Sequence, residues 1–155
     1  MATIDAKDLG AFAREYAELR GQDLEKTSRG FFINLSTSII LKTPVGNPSL
    51  WKSKAPAGYT GGRARNNWFA SANSKSNETT KASGPKGSAA INRASKVGKA
   101  HKIGQTMYLS NNLPYIRPLE FVGWSTQAPA GMVRITLTEA TKALQLAVNN
   151  LKKGN

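Results

Sequence analysis

NSKSNETTKASGPKGSAAINRASKVGKAHKIG, residues 73–104, lies in the middle of the chain, and its reading decides the rest. The stretch holds one acid, Glu78, against seven bases: Lys75, Lys81, Lys86, Arg93, Lys96, Lys99 and Lys102. Ile91, Val97 and Ile103 are its only large apolar side chains, and it has no aromatic residue. So little apolar surface does not offset the entropy of ordering a chain, which predicts a mobile segment. Long loops inside compact domains are functional or disordered. The expectation is a basic loop or hairpin arm presented by a folded frame.

The frame reads outward from both ends of that stretch. Residues 66–72, NNWFASA, carry Trp68 and Phe69 and favour a strand. Residues 105–110, QTMYLS, alternate in the strand period and predict a second one, antiparallel to the first. Upstream, Leu9, Phe12, Ala13, Tyr16 and Ala17 give a helical stripe over about 5–20. Asp5 and Asp8 sit at its favourable end. A second helix should run from Asp23 to Lys42 and stop at Thr43-Pro44, with Gly30 weakening it inside. These two helices suggest an antiparallel pair or one bent helix. Prolines and glycines over 44–65 predict an ordered loop.

Downstream, Asn111 or Asn112 can cap a short helix interrupted by Pro118. Val133, Leu137, Ala140, Leu144, Val148 and Leu151 predict a long terminal helix, with Pro129 suited to its first turn and Gly154 to its end. The β-branched run MVRITLT, 132–138, with Val133, Ile135 and Leu137 alternating, is nonetheless expected to begin as a strand or extended piece. The outcome is a single α+β domain over 1–155: a small antiparallel sheet packed with N- and C-terminal helices, with a long basic hairpin loop over 73–104.

Twenty-two bases against nine acids give +13, and residues 51–105 alone carry 11 bases and one acid. Such an uneven field points to a polyanionic partner, most often nucleic acid, against the plainer reading of a solubilising loop. The absence of cysteine excludes disulfides and thiolate metal sites. No basic-then-apolar leader and no run of membrane-span length is present in the sequence given, so the expectation is synthesis in the cytoplasm, with no membrane partner.

Catalytic constellations are missing. His101, the one histidine, stands among lysines with no triad or ligand partners at hand. Val97-Gly98-Lys99-Ala100 imitates the end of a phosphate loop but has Arg93 and Ala100 where glycine and Ser/Thr are needed. We expect no enzyme, no metal and no cofactor. No zinc finger, RNP pattern or basic recognition helix occurs. Without aromatics, the basic stretch can neutralise phosphates but has nothing to stack on bases.

Two blocks then stand out. The first runs from Thr43, Pro44, Val45 and Gly46 to Gly62, Arg63, Arg65 and Trp68. The second is YLSNNLPYIRPLEFVGWSTQAPAGMVRITL, with Tyr115, Glu120, Pro129, Gly131, Met132 and Arg134. Together they resemble the signatures of the neck or tail-completion proteins of tailed bacteriophages, the minor tail protein Z-like family, over roughly residues 20 to 150. The segment 47–60 is longer here than the family's step between those motifs, and Val122 is inserted in the family's Glu-aromatic-Gly.

The resemblance implies a structural virion protein of the head–tail junction, one subunit of a ring, a homohexamer, around the DNA channel. Its implied partners are itself, neighbouring neck and tail rings, and the phage DNA. A tail terminator or head-side stopper ring and a non-virion, sequence-independent nucleic-acid binder remain the alternatives. Six copies would bring on the order of +60 to the channel, against about 20 phosphate charges per turn of duplex. As an extended hairpin, residues 74–104 could reach up to roughly 50 Å, to DNA or to an adjacent ring.

Overall fold

The computed structural model describes residues 6–21 and 23–153. The roles expected of Asp5, the Asp8 side chain and Gly154 at helix ends lie outside the described residues. Helices α1 (Ala6–Leu19) and α2 (Leu24–Lys42) are separate. Asp23 starts α2 by accepting the Glu25 N–H at 2.8 Å. Gly30 does not interrupt α2, which ends at an extended Thr43, as the following Pro44 requires. The chain then makes a 3₁₀ turn (Pro48–Leu50), the short helix α3 (Arg63–Asn66) and the strand β1 (Phe69–Ala72).

Strand β2 (Met107–Ser110) pairs antiparallel with β1, from Phe69 opposite Ser110 to Ala72 opposite Met107. The expected pairing is therefore present, but Asn66 and Asn67 stand outside it. Their amides are committed elsewhere: Asn66 donates to the carbonyls of Gly62 and Gly84, and Asn67 to those of Arg63 and Thr80. Side-chain amides that capture nearby carbonyls in this way compete with a ladder.

Between the strands lies a helix, α4 (Ser88–Ala100), in place of an open hairpin tip. Helices α5 (Ile116–Phe121) and α6 (Val133–Lys153) complete the α+β fold. Asn111 and Asn112 do not cap α5. Their amides reach Ala64, Ser76 and Glu78 carbonyls instead, and α5 begins after Tyr115. Pro129 sits in a turn ahead of α6 and not in the helix.

Val133 to Thr138 are helical, so the extended reading of 132–138 is corrected. The cause is Glu120. Its carboxylate is buried and accepts the N–H groups of Met132 (2.6 Å), Val133 (3.0 Å) and Arg134 (3.0 Å). Three orphan donors and the positive end of the helix are thereby satisfied at once. The Arg134 guanidinium folds back on the Glu120 side chain and its carbonyl. Gly131 makes room: at φ +86°, it leaves a gap in which an added Cβ would lie 2.6 Å from the Glu120 carboxylate.

The core joins Ile39 and Ile40 of α2, Trp68, Ala90 and Ala94 of α4, and Ala128 and Met132 before α6. The chief partner of α1 is α6, where Leu9, Ala17, Leu144 and Val148 are buried and Glu15 pairs with Lys152. Among the described residues, no helix is long and apolar enough to cross a membrane.

Glu120→Gln keeps the size but replaces a charged acceptor with an amide that presents donors to donors. We expect a loss of about 2 kcal/mol, measured by denaturant unfolding against the wild-type chain.

Candidate nucleic-acid interface

The basic segment is ordered from end to end. Asn73, at φ +65°, closes onto the Thr106 carbonyl at 2.7 Å. Asn67 holds Thr80 through its side-chain oxygen, the Gly84 N–H bonds the Gly61 carbonyl, and Asn112 holds Ser76 and Glu78. Helix α4 then lies on α2 through Ala90, Ala94 and Gly98, all buried. A Cβ on Gly98 would come within 2.5 Å of Ile33, and one on Gly87 (φ +67°) within 2.9 Å of Ile40. Small side chains on α4 let the large ones of α2 bury themselves.

The expectation of a mobile arm is corrected for this reason. It counted the segment's own large apolar residues and not the surface it covers on its partner. Folding also shortens the reach: 13 helical residues rise about 20 Å, against the roughly 50 Å expected for extended arms.

The end of α4 is latched as well. His101 is buried, and its carbonyl accepts from Arg29 Nε at 2.8 Å. The Glu25 carboxylate accepts the Ile103 N–H at 3.1 Å and pairs with Arg29 (2.5 Å) and Lys102 (3.7 Å). The Ile103 N–H, with Arg29 and Lys102, holds the Glu25 pKa below its ordinary 4.5.

Of the seven bases, Lys75, Lys81, Lys86, Lys96, Lys99 and Lys102 are exposed. Arg93 is not. Its guanidinium donates to the carbonyls of Asn66 and Trp68 (3.0 Å for the latter) and lies 4.2 Å over the Phe69 ring. Burial pulls its pKa down, with Glu78 opposing. Lys96 and Lys99 stand on the side of α4 opposite Ala90 and Ala94, so the helix turns a cationic face outward.

The residues of the two blocks prove to be framework. Arg65 is a hub, donating to the carbonyls of Thr43 (2.9 Å), Leu41 (2.8 Å) and Pro85, so one side chain ties the end of α2 to the turn before α4. Burial lowers its pKa. Arg63 is exposed and reaches the Thr80 carbonyl at 3.5 Å. Trp68 is buried and donates from its indole to the Thr43 hydroxyl at 2.8 Å, beside buried Pro44. Gly62, at φ +78°, faces the Gly84 carbonyl where a Cβ would sit 2.1 Å away. Tyr115 is half-buried, and burial raises its pKa while Arg63 lowers it. Gly131, Met132, Arg134 and Glu120 form the cap of α6 already described.

The two blocks meet directly. Gln127 bonds both the N–H (3.1 Å) and the carbonyl (2.9 Å) of Val45, and the Asn111 amide reaches the Ala64 carbonyl. Leu50 and Trp51 in the first block's region, and Phe121, Val122 and Trp124 in the second, are large apolar residues left exposed. Among the described residues, no group of three or more His, Asp or Glu side chains is placed to hold a metal ion.

No protein-family model, no curated protein and no solved structure matches this chain.

One signal for α4 was present in the sequence: Gly87, Ala90, Ala94 and Gly98 recur at spacings of three and four. The pinning of Arg93 had no local signal, because its acceptors come from residues 66 and 68.

Arg93→Ser should cost on the order of 2–3 kcal/mol, since two carbonyls lose a charged donor. Lys96→Ser and Lys99→Ser should change denaturant unfolding by less than about 0.5 kcal/mol. The Glu25 latch has its own pH dependence. A depressed carboxylate pKa contributes stability above its ordinary value and loses it as pH falls through the depressed one. Amide exchange at Ile103, corrected for intrinsic rate, should therefore accelerate below pH 4.5, and Glu25→Gln should abolish that pH step.

Proposed function

We propose that this chain is a structural subunit of the head–tail junction of a tailed bacteriophage, assembling as a ring around the DNA channel, with no catalytic role. In the virion it would sit in the neck, between neighbouring ring proteins, and its basic face would meet the passing duplex.

One observation carries the reading. The two blocks that resemble the neck-protein signatures close on each other through Val45 and Gln127, and leave Leu50, Trp51, Phe121, Val122 and Trp124 uncovered. Trp124 is 66% and Val122 67% exposed. The short run Phe121, Val122 and Trp124 exposes three large apolar side chains within four residues; such exposed apolar surface suits a protein–protein interface, where tryptophan is favoured at the energetic centre. Phe121 is further braced by Arg117 and Arg134, whose guanidinium groups lie 5.6 and 5.3 Å from its ring centre. A second copy is the occupant this reading commits to. The net charge of +13 adds the second requirement of a channel ring, attraction to a polyanion without base readout.

The mass of the purified protein in low and high salt tests the assembly. A closed ring without DNA in both is expected, since its contacts are apolar. Trp124→Asp with Val122→Asp should give a folded monomer, with subunit affinity weakened on the order of 100-fold or more. A wild-type monomer that associates only on added DNA would overturn the ring and favour a free nucleic-acid binder.

A further inference from the structure

Beside the paired strands is an open cleft of about 570 Å³, walled by Phe69, Ser71, the turn from Ser74 to Glu78, and Arg93 and Lys96 of α4. Three features distinguish it from a general basic surface. First, its turn is fixed: Ser71 donates to the Ser74 carbonyl at 2.7 Å, the Ser76 hydroxyl accepts the Glu78 N–H, and Asn112 holds two of its carbonyls. Second, Arg93 is held over the Phe69 ring by two backbone carbonyls, and its Nε is buried without a hydrogen-bond partner. Third, among the described residues neither Arg93, Lys75 nor Lys96 has a carboxylate within ion-pair distance. The one acid at the rim is Glu78.

A guanidinium already ordered and partly desolvated, lining one cleft with two lysines, suits the charge of a phosphate. We propose that this cleft is a phosphate-binding site formed by Lys75, Arg93 and Lys96, with Glu78 as its built-in competitor, and that the phosphate belongs to a nucleic-acid backbone. The nucleic-acid source rests on the function proposed above; the phosphate chemistry rests on the cleft alone. Only one or two phosphates fit, so the site fixes the position of a strand and reads no sequence.

The test is a titration of the full-length chain, followed by amide NMR, with inorganic phosphate in one arm and a short mixed-sequence duplex in the other. Both should shift the amides of 74–78 and of Arg93. Lys96→Gln should weaken the duplex roughly fivefold and lower the slope of log affinity on log salt by about 0.9. Exposed Lys142→Gln on α6 should change it little. Glu78→Gln should strengthen binding severalfold, an effect a purely structural Glu78 would not produce. Equal losses for Lys96→Gln and Lys142→Gln, with no gain for Glu78→Gln, would overturn the site. A response to inorganic phosphate but not to duplex would overturn the nucleic-acid source. Ring mass measured on the same variants separates the two proposals: it should not change here, whereas the Trp124 and Val122 variants should alter the mass without moving the amides of 74–78.

Discussion

The close approach of α4 to α2 is the constraint on which the remaining architecture depends. Ala90, Ala94 and Gly98 allow one helix to lie against Phe32, Ile33 and Ile40 of the other with almost nothing between them. The large side chains in that contact belong to α2. The basic segment contributes backbone and methyl groups, and the packing is tight because both are small. That placement carries Arg93 to the back of β1, positions the turn from Pro85 to Gly87 against Arg65, and so closes the sheet. One extra methyl at Gly98 would meet Ile33.

A second feature of the fold is how it solvates its polar groups. Arg65 and Arg93 are held by main-chain carbonyls, and the Glu120 carboxylate by main-chain N–H groups with Arg134 folded over it. Each of these side chains replaces water for backbone groups that turns and helix ends leave unpaired. Irregular segments can then be as fixed as helices. The 43–68 region is mostly non-regular, yet Thr43, Gly62, Asn66, Asn67 and Trp68 are all buried.

The sequence made the periodic parts legible. The helices α1, α2 and α6 follow from stripes at spacings of three and four, the Thr43-Pro44 stop from a steric rule, and the two strands from their aromatics and alternation. Three things were not legible, each for a physical reason. α4 was missed because a hydrophobicity count sees side chains and not the neighbour they uncover. The start of α6 was ambiguous because Val133, Ile135 and Leu137 suit both periods, and the deciding carboxylate is a dozen residues away. The candidate cleft was half visible: its lysines are plain in the sequence, but Arg93 meets Phe69 and Ser71 only through the packing of α4 on β1. The motif residues, singled out for the resemblance they carry, are mostly the internal ties of the frame.

The carbonyl-held arginines have a consequence for durability. A carbonyl dipole does not titrate, and a short bond to it is little screened by salt, unlike an exposed ion pair. The ties at Arg65 and Arg93 thus persist across ionic conditions that would silence every contact made by the free lysines. The molecule thus has cations tied to its own backbone and lysines kept reversible, and Arg93 stands between them, tied to two carbonyls while it lines the proposed phosphate cleft. Polyanion contacts can form and release at the lysines while the carbonyl ties keep the scaffold unchanged.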